Sequence, residues 1–456
     1  MTQAEALDIL KTGANVFLTG EPGAGKTHTV NTFVRYLREQ EIQVAITAST
    51  GIAATHIGGI TIHSWAGIGI KRYLDKYSLD RITNNERVSK RINKAKVLII
   101  DEVSMLGPGT LDMVDAVCRS VRRSQEPFGG LSILLVGDFF QLPPVVRRQE
   151  EELVDVGMVL LEPEPQKFAY ESGAWQRAKF LTCYLSEQYR QDDKVFLDIL
   201  SAIRRNEFGE THMEHIGRRK LPAGKIVENV PVLYSHNIDV DRVNTDKLSL
   251  INSEARVYEM SAKGQEHMTE TLMRGCLSPK KLVLKVGASV MCTKNNVAER
   301  FVNGTLATVT GFEKLSSWPV IKTKAGRSIV IEPMEWTIEE GSKILARIRQ
   351  VPLRLSWAIT VHKSQGMSMD SALMDLSGVF EHGQGYVALS RVRRLEGLHL
   401  LGWNERTFQV HPGVLLQDGN FRTNSSQAQK TFAKMTPIEL VTMHENFVKM
   451  ATNPSR

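Results

Sequence analysis

The chain has 456 residues, which is too many for a single hydrophobic core, so two or more domains are expected. Hydrophobic residues make up 42% and charged residues 23%, as in ordinary globular proteins, and no apolar run is long enough to span a membrane. The 4 cysteines are too scattered for a disulfide framework or a metal site, which favours a reducing compartment. The net charge of +7 permits nucleic-acid binding without indicating it, because 57 basic and 50 acidic residues mostly cancel.

The first element in the chain is a short helix predicted over residues 2–10. No signal or transit segment is recognisable ahead of it, so we expect a cytoplasmic protein. Gln3 lies in this helix, and its amide offers a donor and an acceptor that together suit the edge of adenine. From the residue alone, a solvated glutamine is the favoured interpretation.

Residues 20–27 read GEPGAGKT and match the phosphate-loop pattern G-x-x-x-x-G-K-[ST] at every fixed position. A buried strand is predicted over residues 15–19 and an amphipathic helix over 27–38, which is the context that the motif requires. The glycines allow successive backbone N–H groups to point at phosphate oxygens. Lys26 is expected to pair with the β- and γ-phosphates, and the Thr27 hydroxyl to bind Mg²⁺. The flanking elements argue against the alternative, a glycine-rich turn that matches by chance.

A second strand is predicted over residues 42–48, followed by a turn into a helix of small residues at 49–54 and then by His63 and Trp65. A polar segment that contains glycine and carries an exposed aromatic side chain can hold a phosphodiester and stack a base. Trp65 is equally compatible with a place in the core. The next stretch, residues 71–96, is locally basic and irregular, which suits either a DNA contact or a solvated basic face.

Residues 97–100 form an apolar run that ends in Asp101 and Glu102, which is the pattern of a parallel strand buried on both faces. Ligands collect at the carboxyl ends of such strands, so Asp101 is expected to hold Mg²⁺ through a water and Glu102 to deprotonate the attacking water. A solvated strand end is the alternative. Another apolar strand, over residues 131–136, leads to Gln141, which is expected to bond the γ-phosphate and the water and so to sense the nucleotide state.

The alternation of strands and helices to this point indicates an α/β fold with a doubly wound parallel sheet. An acidic surface loop is expected at residues 150–165, and a strand at 181–185 is expected to start a second sheet. Short β-rich runs over residues 282–351 indicate a small antiparallel barrel inserted into the second unit. In that unit we also predict strands over residues 230–235, 371–376 and 398–401, helices over 195–203 and 385–391, and a polar tail from residue 423.

Taken in order, the motifs resemble those of the Pif1 helicase family, which lies in superfamily 1B beside the RecD-like and Dda-type enzymes. The resemblance extends to about residue 403, and residues 111–130 resemble the signature stretch that marks Pif1 proteins. The long extensions of eukaryotic members are not seen, so we expect a minimal bacterial or phage-type form. The matching stretches are Gln3 and residues 20–27, 47–54, 61–65, 101–105, 137–144, 189–190, 360–366 and 386–391.

This resemblance implies two RecA-like parallel-sheet domains that carry two insertions. The first RecA-like domain would span residues 1–175 and contain a small wedge at about residues 67–93. The second would be formed by residues 176–281 together with 352–422. The remaining units would be an SH3-like β-barrel at residues 282–351, inserted in the second domain, and a C-terminal tail at 423–456.

The resemblance also implies an enzyme that uses ATP and Mg²⁺ to move 5′→3′ on single-stranded DNA. It would unwind duplexes at single-strand–duplex junctions, act on G-quadruplexes and RNA–DNA hybrids, and be a monomer in solution. Arg190 and Arg391 would reach the γ-phosphate from the second domain and act with Lys26, Glu102 and Gln141. The implied nucleotide contacts are Gln3, Gly20, Pro22, Gly23, Ala24, Gly25, Lys26, Thr27, His28, Gln365 and Gly366. The implied DNA contacts are Thr50, Gly51, His63, Trp65, Thr360, His362 and Lys363.

Two other classes of protein compete with a helicase. A small-molecule kinase or GTPase would not need a second α/β sheet with its own arginine, and the chain has no guanine-reading N-K-x-D stretch. A DNA-binding or loading protein with a degenerate ATPase would be expected to have lost Lys26, Glu102 or an arginine, and none of these is lost.

Overall fold

The structure is a computed structural model. It describes residues 1–69, 71, 73–144, 167–187, 193–222, 227, 230–234, 240–296, 299, 301, 303–323, 326–340, 343–361, 364 and 368–453. The acidic loop expected at 150–165 lies outside these residues.

Helices and strands cover most of the described chain. The helices are α1 (Gln3–Leu10), α2 (Lys26–Glu39), α3 (Gly51–His56), α4 (Ile62–Trp65), α5 (Lys76–Thr83), α6 (Glu86–Lys94), α7 (Pro108–Arg122), α8 (Gly173–Ala178), α9 (Lys194–Arg205), α10 (Glu210–Gly217), α11 (Val240–Ser249), α12 (Glu266–Gly275), α13 (Gln384–Leu389), α14 (Pro412–Ala433) and α15 (Pro437–Thr452). The strands are β1 (Val16–Gly20), β2 (Val44–Ala48), β3 (Ile60–Thr61), β4 (Val97–Asp101), β5 (Ser132–Val136), β6 (Leu181–Leu185), β7 (Val232–Tyr234), β8 (Arg256–Glu259), β9 (Ser261–Gly264), β10 (Lys281–Leu284), β11 (Ser289–Cys292), β12 (Leu306–Phe312), β13 (Pro319–Thr323), β14 (Ser328–Val330), β15 (Met334–Glu340), β16 (Lys343–Gln350), β17 (Leu353–Leu355), β18 (Ala358–Thr360), β19 (Ala372–Leu376) and β20 (Leu398–Trp403).

The first sheet has six parallel strands in the order β3-β2-β4-β5-β1-β6. Its central strands are apolar and buried, as expected where helices cover both faces of a parallel sheet. β6 pairs with β1 along its whole length, from Val16 opposite Leu181 to Gly20 opposite Leu185. The prediction that this strand starts a second sheet is therefore wrong, and a domain boundary at 175/176 would cut β6 from its own sheet. The prediction failed because the apolar sequence of β6 indicates that the strand is buried but does not show which sheet it joins.

The second sheet is also parallel, with the strand order β18-β7-β19-β20. It combines β7, which precedes the β-rich insertion, with three strands that follow it. The predicted return of the α/β pattern after the insertion is thus confirmed.

The β-rich insertion consists of antiparallel sheets, which confirms the predicted antiparallel pairing, whereas its closure into an SH3-like barrel stays a prediction. A five-stranded sheet has the order β14-β13-β12-β11-β17, with β14 and β17 at its edges, and smaller sheets pair β15-β16-β9 and β10-β8. The β-rich region therefore begins at β8, well before the expected start at residue 282. The residues of β8 and β9 are mostly exposed, so they show no alternation of apolar and polar positions that sequence reasoning could have detected.

The expected wedge, residues 67–93, contains the two helices α5 and α6 rather than being irregular throughout. The side chains of Asp75 and Asn85 cap α5 and α6 by accepting backbone N–H bonds in their first turns. Ile82, Val88 and Ile92 are buried in the hydrophobic core of the first sheet. The basic residues mask this pattern in the sequence because they are interspersed with the inward-facing apolar positions, which also include Ile68, Leu74 and Leu79.

The C-terminal helices α14 and α15 pack back onto the first sheet, so a tail boundary at residue 423 would fall inside α14. The backbone N–H of Tyr184 on β6 donates to the Ser425 hydroxyl at 2.9 Å, so α14 satisfies part of the edge strand. His444 on α15 bonds the carbonyl of Asp8 on α1 at 2.9 Å. Among the described residues, no helix is both long and apolar enough to cross a membrane.

The packing of α14 gives a stability prediction. Phe421 is 5% exposed and its ring centroid lies 4.9 Å from that of Phe17 on β1, within a cluster of aromatic rings. We expect Phe421→Ala to lower the free energy of unfolding by about 3–5 kcal/mol, because it leaves a cavity between α14 and the sheet. Leu416→Ala on the same helix is the control, since Leu416 is 77% exposed. Thermal unfolding should show a large shift for the first variant only; equal shifts would mean that α14 does not stabilise the sheet.

Candidate nucleotide and DNA site

The phosphate loop leaves the carboxyl end of β1 and enters α2 at Lys26. Gly23 and Gly25 have φ values of 91° and 89°, in the left-handed region that glycine adopts without strain. A Cβ atom on Gly25 would lie only 2.0 Å from Nε2 of Gln3, so this position also has no space for a side chain. The loop thus has the conformation and the close packing that the motif predicts.

Lys26 is held inside the loop. Its Nζ donates to the carbonyl of Gly20 at 2.7 Å and to that of Glu21 at 3.1 Å. Desolvation lowers the pKa of Lys26, while the charges of Asp138, Glu102 and Asp101 act in the opposite direction. The ammonium group therefore lies among carboxylates and loop carbonyls, where phosphate oxygens would be better partners.

Gln3 contacts the phosphate loop and is not a freely solvated side chain. Its Nε2 donates to the carbonyl of Ala24 at 3.3 Å, its Oε1 lies 2.9 Å from Nδ1 of His28, and its backbone N–H donates to Glu187. This placement removes the alternative favoured from the sequence. The recognition of adenine by Gln3 remains a prediction.

Asp101 and Glu102 lie where β4 ends, as predicted. Glu102 adopts φ 52°, a left-handed conformation, and its N–H donates to Oδ1 of Asp101 at 2.8 Å. Both side chains retain some solvent exposure, but surrounding protein encloses them. Desolvation, reinforced by the charge of Asp101, raises the pKa of Glu102 to about 7, although Lys26 and Arg391 oppose the increase. A carboxylate with a pKa near neutrality suits a general base.

The donor set at this edge fits Mg²⁺. Thr27 is exposed beside Lys26, and Asp101 is a carboxylate at the end of β4, which β5 separates from β1. These hard oxygen donors are the type that Mg²⁺ prefers, and Mg²⁺ usually takes its other ligands from water and phosphates. Among the residues that the structure describes, no three His, Cys, Asp or Glu side chains cluster to hold a metal ion. A Mg²⁺ site here would therefore depend on the nucleotide.

Gln141 lies in the loop after β5 and is 7% exposed. Its Nε2 donates to Oδ2 of Asp138 at 3.4 Å, and the same oxygen accepts from Arg204 at 2.7 Å. The sequence reasoning missed Asp138 and Arg204. The second had a detectable signal, because Arg204 shares one face of α9 with Phe196 and Leu200, which precede it by eight and four residues.

Arg391 follows the helix α13, which lies between β19 and β20 of the second sheet in the chain, and it is 2% exposed. Its Nε donates to the carbonyl of Val387 at 2.8 Å and its Nη2 to the hydroxyl of Ser390 at 2.7 Å. Its charge lowers the pKa of Glu102, so the guanidinium is within electrostatic reach of the acids of the first sheet. The other second-domain candidates, namely Arg190, His362, Lys363, Gln365 and Gly366, lie outside the described residues.

The predicted DNA contacts have different environments. Gly51 begins α3 and packs against α12, where a Cβ on Gly51 would lie 3.0 Å from Cα of Gly275. Thr50 and His63 are half-buried, and desolvation lowers the pKa of His63. Thr360 ends β18 and is 1% exposed.

Trp65 does not have the exposure that base stacking requires. It is 4% exposed and belongs to the hydrophobic core of the first sheet. It lies three residues after Ile62 in the single-turn helix α4, so both side chains point inward. Of the two interpretations of Trp65 that the sequence left open, the core residue is the correct one in this structure.

Comparison with known proteins identifies the family. The family model described as PIF1-like helicase matches residues 3–199, and the model described as DNA helicase Pif1, 2B domain matches residues 267–312. The curated ATP-dependent DNA helicase Pif1 of Psychrobacter sp. (strain PRwf-1) is 40% identical to this chain, over 98% of the chain and 75% of the relative. The chain belongs to the Pif1-like helicase family. The resemblance inferred from the motifs is thereby confirmed.

Solved Pif1 structures have the same architecture. The Bacteroides sp. Pif1 structure in complex with ADP-AlF4 has 30% identity, covers 92% of this chain and 96% of its own, and superimposes with a TM-score of 0.78. The Bacteroides Pif1 structure bound to ssDNA has 31% identity and the same coverage, with a TM-score of 0.61. The α/β fold with two RecA-like domains is thus confirmed for this Pif1-family chain.

The contact between Gln3 and the phosphate loop gives a prediction about base recognition. If the Gln3 amide reads adenine, Gln3→Ala should weaken ADP binding about 3–10-fold and leave GDP binding unchanged, because a single neutral hydrogen-bonding group is lost. Fluorescence titration with labelled ADP and GDP measures both affinities. Gln40→Ala, at the exposed C-terminal end of α2, is the matched control. Equal weakening of both nucleotides would mean that Gln3 only supports the loop.

Proposed function

We propose that this protein is an ATP-dependent DNA helicase that moves 5′→3′ along single-stranded DNA and separates strands at single-strand–duplex junctions. One observation carries the proposal: α13, the helix that leads to Arg391, packs so closely on the first-sheet loop after β5 that Gly383 at its start has no room for a Cβ beside the carbonyl of Phe140. A nucleotide held at the edge of the first sheet would contact both domains. The 5′→3′ direction of movement is proposed from the family resemblance.

In the proposed reaction, residues of the chain bind the nucleotide, orient the attacking water and activate that water. The phosphate loop and Lys26 hold the β- and γ-phosphates, and Glu102 accepts a proton from the attacking water. Gln141 contacts the γ-phosphate and that water, while Arg391 and Arg190 stabilise the charge that develops on the phosphoryl oxygens. Thr27 and Asp101 would hold Mg²⁺, which neutralises phosphate charge when bound.

Movement along DNA follows from closure of the cleft between the two sheets. Thr50 and Gly51 on the first domain and His362 and Lys363 on the second form the two proposed DNA grips. Thr360 is only 1% exposed, so it lacks the exposure that a direct DNA contact requires. If ATP-driven closure shortens the distance between grips that alternate in strength, the strand advances. α12 covers Gly51 in this structure, so we infer that α12 moves away when DNA occupies the first grip.

The wedge is the proposed contact with the duplex. Tyr73 and Tyr77 are 76% and 77% exposed, and the segment around them is basic. Exposed aromatic rings beside positive charges suit stacking on a terminal base pair near the phosphate backbone. We extend the proposal to G-quadruplexes and RNA–DNA hybrids as substrates and to a monomer in solution, on the family resemblance alone.

The competing classes fit less well. A small-molecule kinase or GTPase leaves the second parallel sheet and the approach of Arg391 to Glu102 unexplained. A loading protein with a degenerate ATPase leaves unexplained why Lys26 and Glu102 retain their place at the strand ends.

The deciding experiment is steady-state ATP hydrolysis with and without single-stranded DNA, followed by unwinding of matched duplexes with 5′ or 3′ tails. We expect strong stimulation by DNA and unwinding only from the 5′ tail. Unwinding from the 3′ tail would refute the polarity. DNA-independent hydrolysis would refute the helicase and favour a small-molecule enzyme.

Glu102 gives a second test with a defined pH dependence. A general base works in its deprotonated form, and burial raises the pKa of Glu102 to about 7, so hydrolysis should rise with pH around neutrality. Glu102→Gln should bind ADP normally but lower turnover about 10²–10⁴-fold and abolish that rise. Glu41→Gln is the control, because Glu41 also has a left-handed backbone (φ 57°) but lies beyond the far end of α2. Near-normal turnover in Glu102→Gln would remove this residue from the mechanism.

A further inference from the structure

Arg204 is a buried arginine for which the proposed reaction has no role. It lies on α9, its side chain is 1% exposed, and it is among the largest fully buried side chains of the described residues. Burying a guanidinium is costly unless it is well paired. The partners of Arg204 must therefore offset the cost of burying its charge.

The partners of Arg204 come from both sheets. Its Nη1 donates to Oδ2 of Asp138 at 2.7 Å and to the hydroxyl of Tyr386 at 3.0 Å, and its Nη2 donates to the hydroxyl of Tyr184 at 2.8 Å. Asp138 follows β5 and Tyr184 lies on β6 of the first sheet, whereas Tyr386 lies on α13 of the second. The guanidinium also stacks 4.2 Å above the ring of Phe140. We call Arg204, Asp138, Tyr184 and Tyr386 the Arg204 joint.

The first-sheet end of the joint reaches the proposed phosphate sensor. Oδ2 of Asp138 accepts from Arg204 at 2.7 Å and from Gln141 at 3.4 Å, so one oxygen serves both residues. The contact with Arg204 is short and between charged groups, whereas the contact with Gln141 is long and has a neutral donor. Gln141 can therefore leave Asp138 for a phosphate at little cost while Arg204 keeps Asp138 in place.

The second-sheet end of the joint reaches the proposed arginine finger. Tyr386 lies five residues before Arg391, and the Arg391 guanidinium bonds the carbonyl of Val387 in the same helix. Gly383, which caps the start of α13, packs so closely on the first-sheet loop that a Cβ there would lie 2.4 Å from the carbonyl of Phe140. α13 is thus fixed to the Asp138 loop at two points, and its far end carries Arg391 towards Glu102.

The outer side of the joint is closed by α14. Arg422 donates to the hydroxyl of Tyr184 at 2.6 Å, and Asp418 lies 3.8 Å from Arg204. These contacts leave Tyr184 and Arg204 little freedom to turn away from their partners.

We propose that Arg204 is a positioning residue that holds α13 against the Gln141 loop whenever the cleft is closed, so that Arg391 meets the γ-phosphate when Gln141 does. The inference rests on the proposed function and deepens it. Without the joint, nucleotide would still bind to the phosphate loop, but Arg391 and Gln141 would no longer be held in a fixed position relative to each other. Misplacement by about 1 Å is enough to cost about 10²-fold in rate.

The test uses two conservative variants of the full-length chain, Arg204→Lys and Tyr386→Phe. Each should lower kcat of DNA-stimulated ATP hydrolysis about 10–100-fold while the Kd for labelled ADP changes less than about 3-fold. The double variant should be no slower than the slower single one, because both changes disrupt the same contact. ATP consumed per base pair unwound should rise in every variant that retains unwinding.

Two controls separate the possible failures. Arg205→Lys changes the neighbouring arginine, which is 51% exposed and pairs with Glu207 outside the joint, and should behave as wild type. Tyr386→Phe keeps the buried ion pair, so it tests the proposal even if Arg204→Lys fails to fold. A normal kcat in folded Tyr386→Phe, or a loss of kcat matched by a loss of ADP affinity, would refute the proposed positioning role of Arg204. Absence of DNA stimulation in the wild type would instead refute the proposed function.

Discussion

The site depends on a geometric property of parallel sheets: the loops that follow neighbouring strands leave from the same edge. The order β4-β5-β1 in the first sheet brings together the loops that carry Glu102, Asp138 and Lys26, although these residues are far apart in the sequence. This proximity has an electrostatic effect. Desolvation lowers the pKa of Lys26, and the negative charges of Asp138, Glu102 and Asp101 act against that decrease. Among the described residues, the acids Asp101, Glu102 and Asp138 surround the single ammonium group of Lys26 at this edge, so we infer that the second sheet supplies a further cation.

Segments whose structure is specified locally were predicted well. The phosphate loop, the position of the acids after β4 and the amphipathic helices α2 and α9 follow from short motifs and helical period, which do not depend on distant contacts. The exposure of Trp65, the sheet that β6 joins and the helical structure of the wedge were not predicted correctly, because tertiary contacts determine all of them. A single turn of helix is too short to reveal which way Trp65 points, and an apolar strand pairs with whichever neighbour the topology supplies. Arg204 was missed for a different reason, since an arginine on an apolar helix face is usually solvated.

The signature stretch at residues 111–130 has a structural explanation. Asp115 on α7 is fully buried and accepts the backbone N–H of Phe128 at 2.7 Å, which holds the left-handed turn at the end of the stretch. Arg122 then donates to the carbonyl of Gly129 at 2.6 Å and to that of Ala95 at 3.2 Å. Ala95 is the C-terminal cap of α6, so the signature ties the wedge to the first domain. If this segment pushes against a duplex as proposed, it needs such an anchor, because force on a loosely attached segment would bend the segment instead of separating the strands.

Charge balance explains why nucleotide and second domain must act together. The carboxylates around the cleft are Asp101, Glu102 and Asp138, and the facing cations are Lys26, Arg204 and Arg391. Burial already raises the pKa of Asp101 and Glu102, so the enclosed edge tolerates its own negative charge poorly. A triphosphate adds more negative charge and is accommodated only if cations arrive with it. Arg391 is the cation that the second sheet supplies, and its reach depends on how α13 packs against the Asp138 loop. If Arg391 reaches the nucleotide as proposed, cleft closure is an electrostatic requirement of the nucleotide site, and it links hydrolysis to the domain motion that would move DNA.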